Sequence, residues 1–356
     1  MLPTSSIPDS IHNFDAAERW RRTQRLDRQP LRRLRTAFYK KSRGAAAALE
    51  ELPGEARANF AAHFEFHPLA LASRHDSALD GASKLIFRTR QDLLIESVIL
   101  RMKSGRTSLC VSTQVGCAAK CDFCATGRMG IARNLSSAEM LDQLVQANEL
   151  LAAESRTVRN VVFMGMGEPL HNEEPLHAAI ERLTDSRAFY LNPKRIMIST
   201  VGIPEPMVRA ARRWPDVRMA LSLHSARPEV RRRLMPISER HGLDELRSAL
   251  EEVTAIQQHE VMIEYLLLAG VNDTDDDLHA LVEYLGDIPV HINLIPYNPI
   301  DEAPHLVGSS PERRAELSGA LKRAGFSVTT RYSLGADIAA ACGQLVRTEH
   351  RKRALT

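Results

Sequence analysis

The sequence predicts an α/β fold: a parallel sheet with helical crossovers, preceded by a small helical module. Two patterns point there. From Ser108 onward, short apolar runs alternate with helix-period segments, the signature of successive βα units. Ahead of residue 84, apolar residues recur mainly at helical spacing. A third observation locates the chemistry. Cys117-Ala118-Ala119-Lys120-Cys121-Asp122-Phe123-Cys124 holds three cysteines in a C-x3-C-x2-C run, directly after the first strand-like run of the alternating region.

Taken in order, residues 1–15 carry Pro3, Ser5, Ser6 and Pro8 without periodicity and are expected to be disordered. From Ala16 to Phe66 the spacing of Leu31, Leu34, Ala37 and Phe38, then Ala46, Leu49 and Leu52, predicts helices, and Leu52-Pro53-Gly54 breaks the run. Lys84–Thr89 and Leu93–Leu100 read as a hairpin. Parallel strands are expected at Leu109–Thr113, Val158–Met164, Arg195–Thr200, Met219–His224, Val261–Leu268 and Ile292–Ile295. Helices are expected near 136–153, 174–184, 205–213, 243–257, 274–285 and 310–324. Six such units are too few to close an eight-stranded barrel. The division that follows is a basic module at 1–83, a core at 84–346 and a basic tail at 347–356.

Chemistry in parallel α/β barrels gathers at the C-terminal strand ends. The distinctive residues sit there. The cysteine loop follows the first parallel strand, Gly167-Glu168 the second and Asn298 the sixth; Ser199 ends the third, and Ser222 and His224 end the fourth.

Of the 356 residues, 44% are apolar and 26% charged, as in an ordinary globular protein. No apolar stretch reaches transmembrane length and no signal peptide is evident, so a cytoplasmic protein without membrane contact is expected. Charge is uneven. Arg19 to Arg43 hold eleven Lys/Arg against Asp27, a local +10 in a chain of net +3, which leaves −7 elsewhere. A solvated helix face is the plain explanation. The density, interleaved with Trp20, Phe38 and Tyr39, reads instead as a phosphate-binding surface. Arg347, Arg351, Lys352 and Arg353 add basic charge at the end of the chain.

Three thiolates at this spacing suit a [4Fe–4S] cubane with one iron left open for a small molecule. Two other readings compete. Structural zinc takes four Cys/His ligands, often from two C-x2-C halves, and only one such half is present. A disulfide framework is disfavoured by five cysteines in so long a chain. Gly167 lets backbone approach closely, and Glu168 offers a carboxylate to an ammonium group. Cys342, far from the other cysteines and followed by Gly343, is either a small buried residue or an exposed thiol on a tight turn.

The cysteine spacing with Phe123 resembles the radical S-adenosylmethionine (SAM) superfamily. Thr113–Cys117, Cys124–Gly127, Arg133–Leu135, Phe163–Leu170 and Asp337–Leu345 resemble the RlmN/Cfr family of RNA adenine methyltransferases, over roughly Lys84 to Leu345. The resemblance implies a partial (β/α)6 barrel, open toward a large RNA, with the helical module as an accessory domain. It implies a cluster on Cys117, Cys121 and Cys124, and SAM contacts from Gly167, Glu168, Ser199, Ser222, Leu223, His224 and Asn298. Two SAM molecules per turnover and an electron donor such as flavodoxin or ferredoxin are implied as well. The mechanism that the resemblance implies begins with one SAM methylating Cys342. A radical from the second activates that methyl group, which adds to an adenine carbon of 23S ribosomal RNA, and of transfer RNA in some members. Glu96, in Leu94-Ile95-Glu96-Ser97-Val98, is the implied base for the ring proton; on an alternating strand such a residue ordinarily faces solvent. Cys110 is the implied resolving thiol, releasing product as a transient disulfide forms.

The carbon attacked is open between two readings. Glu168-Pro169-Leu170 resembles the enzymes that act at C2. Leu100–Arg106, Ser199–Gly202 and Leu223-His224-Ser225 resemble at least equally the Cfr-type enzymes that act at C8. A metal-containing RNA-binding protein without catalysis is the rival of another class, and it has no use for Cys342 or Gly167-Glu168.

Overall fold

The computed structural model describes residues 8–257 and 259–345. The basic tail at 347–356 and Pro3, Ser5 and Ser6 lie outside the described residues. Ten strands form one sheet, numbered here along the chain: β1 (Ala70–Asp76), β2 (Ala82–Arg88), β3 (Leu94–Arg101), β4 (Thr107–Cys110), β5 (Asn160–Phe163), β6 (Ile196–Thr200), β7 (Arg218–Ser222), β8 (Val261–Leu267), β9 (Val290–Pro296) and β10 (Ser327–Thr330). Their spatial order follows the chain from β1 to β10. β1 through β4 pair antiparallel and β4 through β10 pair parallel.

The expected hairpin and six parallel strands are present, with two additions. β1 extends the antiparallel edge, so the sheet begins well before residue 84. β10 extends the parallel edge; its Ser-Val-Thr-Thr is too short and polar to stand out from the sequence. The expected crossover helices form at Ser137–Ala152, Glu173–Thr184, Pro204–Arg213, Leu243–Ile256, Asp275–Leu285 and Pro311–Arg323. Ser136 and Glu139 close a reciprocal capping box on the first of them. An additional short helix, Pro228–Leu234, follows β7.

The sheet is open, and the C-terminal segment spans its gap. The Asp337 carboxylate accepts from Ser77 Oγ at 2.8 Å and Ala78 N–H at 3.0 Å, while Gly335 N–H donates to Asp80 at 2.8 Å. These contacts tie the chain after β10 to the turn between β1 and β2. Residues from β3 to the chain beyond β10 consequently line one cavity.

The N-terminal module is ordered from Pro8, against the expectation of disorder to residue 15. Asp9–Ser10 pairs in parallel with Phe64–Glu65, and Ile11 is fully buried. Apolar side chains outweigh the Pro/Ser composition there. Helices Phe14–Thr23, Arg28–Arg35, Gly44–Leu49 and Gly54–His63 follow, with a π turn at Thr36–Lys40. Ala46 is exposed, and Ala48 takes the inner place.

The aromatic residues read as interleaved with the basic run are core. Trp20, Phe38 and Tyr39 are buried, so none is displayed for stacking on RNA bases. Arg35 is buried as well, its guanidinium 4.0 Å from the Phe14 ring centre. Arg21 is bonded to Glu18, and Arg33 pairs with Glu51. Arg28, Arg32, Lys40 and Lys41 are exposed. The module packs on the Ser137–Ala152 helix: Val145 belongs to its core, and buried Asp142 accepts from Leu69 N–H at 3.0 Å and bonds His67 at 2.8 Å.

Phe60 is fully buried, with Trp20 at 4.7 Å and Phe64 at 4.5 Å between ring centres. Phe60→Ala should cost about 3–5 kcal/mol through lost burial and a residual cavity. Trp20 emission followed in denaturant measures it; an unchanged midpoint would show that this cluster does not hold the module.

Candidate active site

The cavity is walled by residues of β3 through β9 and of the chain beyond β10. Its wall includes Cys117, Cys121 and Cys124 together with Cys110, Cys342, Gly167, Glu168, Ser199, Ser222 and His224. Residues far apart in sequence therefore share one chamber.

The three clustered cysteines sit on a loop between two short antiparallel strands, Gln114–Gly116 and Ile131–Asn134. Cys117 N–H donates to Gly130 carbonyl at 2.8 Å, pinching the base of the loop. Lys120 takes a positive φ of 55°, which curls the chain between Cys117 and Cys121. Cys124 then starts the short helix Ala125–Met129. Burial pushes the Cys117 thiol up to about 12 and raises Cys121 and Cys124 as well. Among the described residues, no three His, Cys, Asp or Glu side chains gather tightly around one metal ion. What the loop presents is three free thiols facing one cavity, a donor set that suits the corners of a larger cluster.

Gly167 follows β5 with a φ of 102°, and a Cβ there would lie 2.5 Å from Gln114 Cβ. Only glycine fits both constraints. Gln114 uses the closeness, accepting from Glu168 N–H at 2.8 Å. The Glu168 carboxylate accepts from Leu170 N–H at 3.0 Å and Val201 N–H at 2.8 Å. Burial nevertheless pushes it up to about 7, against the pull of those donors. An ammonium group delivered here would restore its charge.

His224 is both a bonded core residue and a wall residue. Its Nδ1 accepts from Leu266 N–H at 3.0 Å, leaving the proton on Nε2. Burial, then nearby Arg231, lowers it to about 3, so the ring is neutral. Phe123 meets it edge-on at 4.8 Å.

Three expected site residues lie off the wall. Leu223 is fully buried in the main core. Asn298 donates to Cys342 carbonyl at 3.1 Å and Ser333 Oγ at 3.0 Å, so it holds the cysteine turn. Glu96 is buried, not solvent-facing, and pairs with Lys84 at 3.7 Å.

Cys342 lies in a turn closed by Gln344 N–H to Ala341 carbonyl at 3.0 Å, with Gly343 at φ 86°. The turn is fastened to the cysteine loop, since Ala125 N–H donates to Gly343 carbonyl at 2.8 Å. Cys342 is exposed as a residue, yet desolvation of its thiol within the cavity wall pushes it up to about 11. Cys110, at the end of β4, is pushed up to about 12 by burial and then by Cys342. Both are free thiols.

Sequence reasoning missed Glu264 and Arg331, which also line the cavity. Glu264 had a legible signal: it is the one charged residue in the apolar run Val261–Leu267. Arg331, just past an unrecognised strand, had none.

The radical SAM superfamily model matches residues 111–285. A probable RNA methyltransferase of Rhodopirellula baltica is 49% identical over 99% of this chain and 92% of its own. The dual-specificity RNA methyltransferase RlmN of Desulfotalea psychrophila is 42% identical over 78% of each chain. A solved radical SAM methyltransferase from Sphaerobacter thermophilus superposes with a TM-score of 0.91 at 34% identity, over 95% of this chain and 99% of that one.

Gly167→Ala should drive the new methyl group into Gln114 and strain the backbone at positive φ. The expected outcome is a folded protein whose SAM affinity falls at least about tenfold, equivalent to about 1.4 kcal/mol. Equilibrium dialysis with SAM measures it; unchanged affinity would remove this strand end from the cofactor site.

Proposed function

The chain belongs to the RlmN/Cfr family of radical SAM RNA methyltransferases, and we propose that it methylates C2 of an adenine in 23S ribosomal RNA, and in transfer RNA as well, through S-methylated Cys342. It is a SAM-dependent RNA methyltransferase with a [4Fe–4S] cluster. One observation carries the finer reading: Cys110 and Cys342 share a cavity wall with the three cysteines of the cluster loop. A methyl transfer that passed directly from SAM to RNA would need neither thiol.

Cys117, Cys121 and Cys124 would hold the cluster. When bound, it supplies the electron that cleaves SAM reductively, and a flavodoxin or ferredoxin is the proposed donor. The chain's own residues do the rest. Gly167 and Glu168 form the strand end that receives the methionine ammonium. Ser199, Ser222 and neutral His224 offer hydrogen bonds from neighbouring strand ends; Leu223 shapes that end from the core, and Asn298 steadies the Cys342 turn. Cys342 accepts the methyl group and, after its activation, forms the bond to the adenine carbon. Glu96 is the proposed acceptor of the ring proton. It shares a strand face with Val98, a wall residue, and Lys84 keeps its carboxylate in place. Cys110 attacks the Cys342 sulfur, which frees the methylated base and leaves a Cys110–Cys342 disulfide for reduction.

C2 is favoured over C8 by Glu168-Pro169-Leu170 and by relatives named RlmN. RNA docking is assigned to the exposed arginines and lysines of the N-terminal module.

Cys110→Ala should still be methylated at Cys342 and should accumulate a covalent RNA adduct through that residue. Intact-protein mass spectrometry after nuclease trimming detects it. A folded, cluster-bearing variant without adduct would end the resolving role, and digestion of the RNA would separate the 2- and 8-methyl isomers. Replacing Arg28, Arg32, Lys40 and Lys41 with Ala should flatten the slope of log K for RNA against log salt by about 3, if all four meet phosphates. An unchanged slope would return the segment to a solvated face.

A further inference from the structure

S-methylation of Cys342 requires its thiol to lose a proton, and none of the roles above provides for that. The cavity contains four carboxylate or imidazole candidates or near neighbours. Glu168 already accepts from two backbone N–H groups. His224 has Nδ1 occupied by Leu266 N–H. Glu96 lies off the wall, paired with Lys84. Glu264 differs from all three. It lies on the wall and is only 3% exposed. Asn293 Nδ2 donates to its Oε2 at 2.7 Å, and Thr329 Oγ1 donates to the Asn293 side-chain Oδ1 at 3.2 Å, so the amide and the carboxylate it meets are held in one orientation. Its Oε1 is buried without a hydrogen-bond partner. An unmatched buried acceptor of this kind is costly unless a donor arrives.

We propose that Oε1 of Glu264 takes the proton of the Cys342 thiol as that sulfur is methylated. The inference rests on the S-methylcysteine reading above. The S–H bond of Cys342 breaks and its proton goes to Glu264. The sulfur electron pair forms the S–CH3 bond, the methyl–sulfonium bond of SAM breaks, and S-adenosylhomocysteine leaves. Electron count is conserved and no outside oxidant or reductant takes part. The electrostatics agree. Cys342 feels Glu264 and Arg331 among its charged neighbours. Burial raises the proton affinity of Glu264 while Arg331 tempers the rise, which narrows the gap to a thiol pushed up to about 11.

The test is Glu264→Gln in the full-length, cluster-loaded protein. Cys342 methylation by SAM is followed by peptide mass spectrometry from about pH 6 to about pH 9. Iron content and SAM affinity are measured alongside. The variant should keep both, yet methylate Cys342 at least about a hundredfold more slowly at neutral pH. Its rate should climb about tenfold per pH unit as solvent ionises the thiol instead. Glu264→Asp, which retains the acid, should recover part of the rate and the wild-type pH profile, and it serves equally if the Gln variant fails to load iron. Wild-type rate and profile in the Gln variant would overturn the proposal. So would a loss of SAM affinity large enough to explain the slower rate, since Glu264 would then be a cofactor contact. If the wild-type protein itself never carries a methyl group on Cys342, the S-methylcysteine reading fails first and takes this role with it.

Discussion

A backbone hydrogen bond from Ala125 N–H to Gly343 carbonyl joins two segments more than two hundred residues apart. One is the start of the helix that ends the cysteine loop. The other is the turn that carries Cys342. Thr126 Oγ1 to Leu345 carbonyl at 3.3 Å and Gln344 Nε2 to Pro299 carbonyl at 3.0 Å reinforce it. Each such bond contributes only about 1 kcal/mol net. Together they settle where Cys342 stands relative to the cysteine loop, the spacing on which the proposed chemistry rests. The Asp80 and Asp337 contacts serve the same end from the far edge of the sheet, since they set the path of the segment leading to Cys342.

That arrangement places groups with unfavourable burial in one chamber. Free cysteine thiols, the Glu168 and Glu264 carboxyl groups and neutral His224 all face it or border it. Burial disfavours the charged form of each, raising the acids and lowering the imidazole. Such a site is poorly stabilised alone and well matched to charged ligands. An ammonium group beside Glu168, or a metal centre beside the cysteines, would each relieve part of that cost.

The N-terminal module divides one basic run between its interior and its surface. Arg35 stacks on Phe14 inside the module, and Arg21 and Arg33 hold acidic partners, while Arg28, Arg32, Lys40 and Lys41 remain exposed. Guanidinium planes can be packed against rings as well as offered to phosphates, so the count of basic residues overstates the surface they present.

The local sequence determined most of the fold and the main candidates for the site. Strand–helix alternation is a short-range property, and it located the hairpin, six parallel strands and their crossover helices. The C-x3-C-x2-C spacing and Gly167-Glu168 are equally local, and both lie where the sequence placed them. What failed was whatever depended on distant partners. Ile11 and Trp20 looked like tail and surface until the module's other residues covered them. β10 is visible only as an edge added to β9. Glu264 stands out only because β9 sets Asn293 against it and the chain after β10 brings Arg331 and Cys342 to the same cavity wall. Periodicity and spacing report on neighbours in the chain, whereas an unpaired carboxylate oxygen is defined by everything that packs around it.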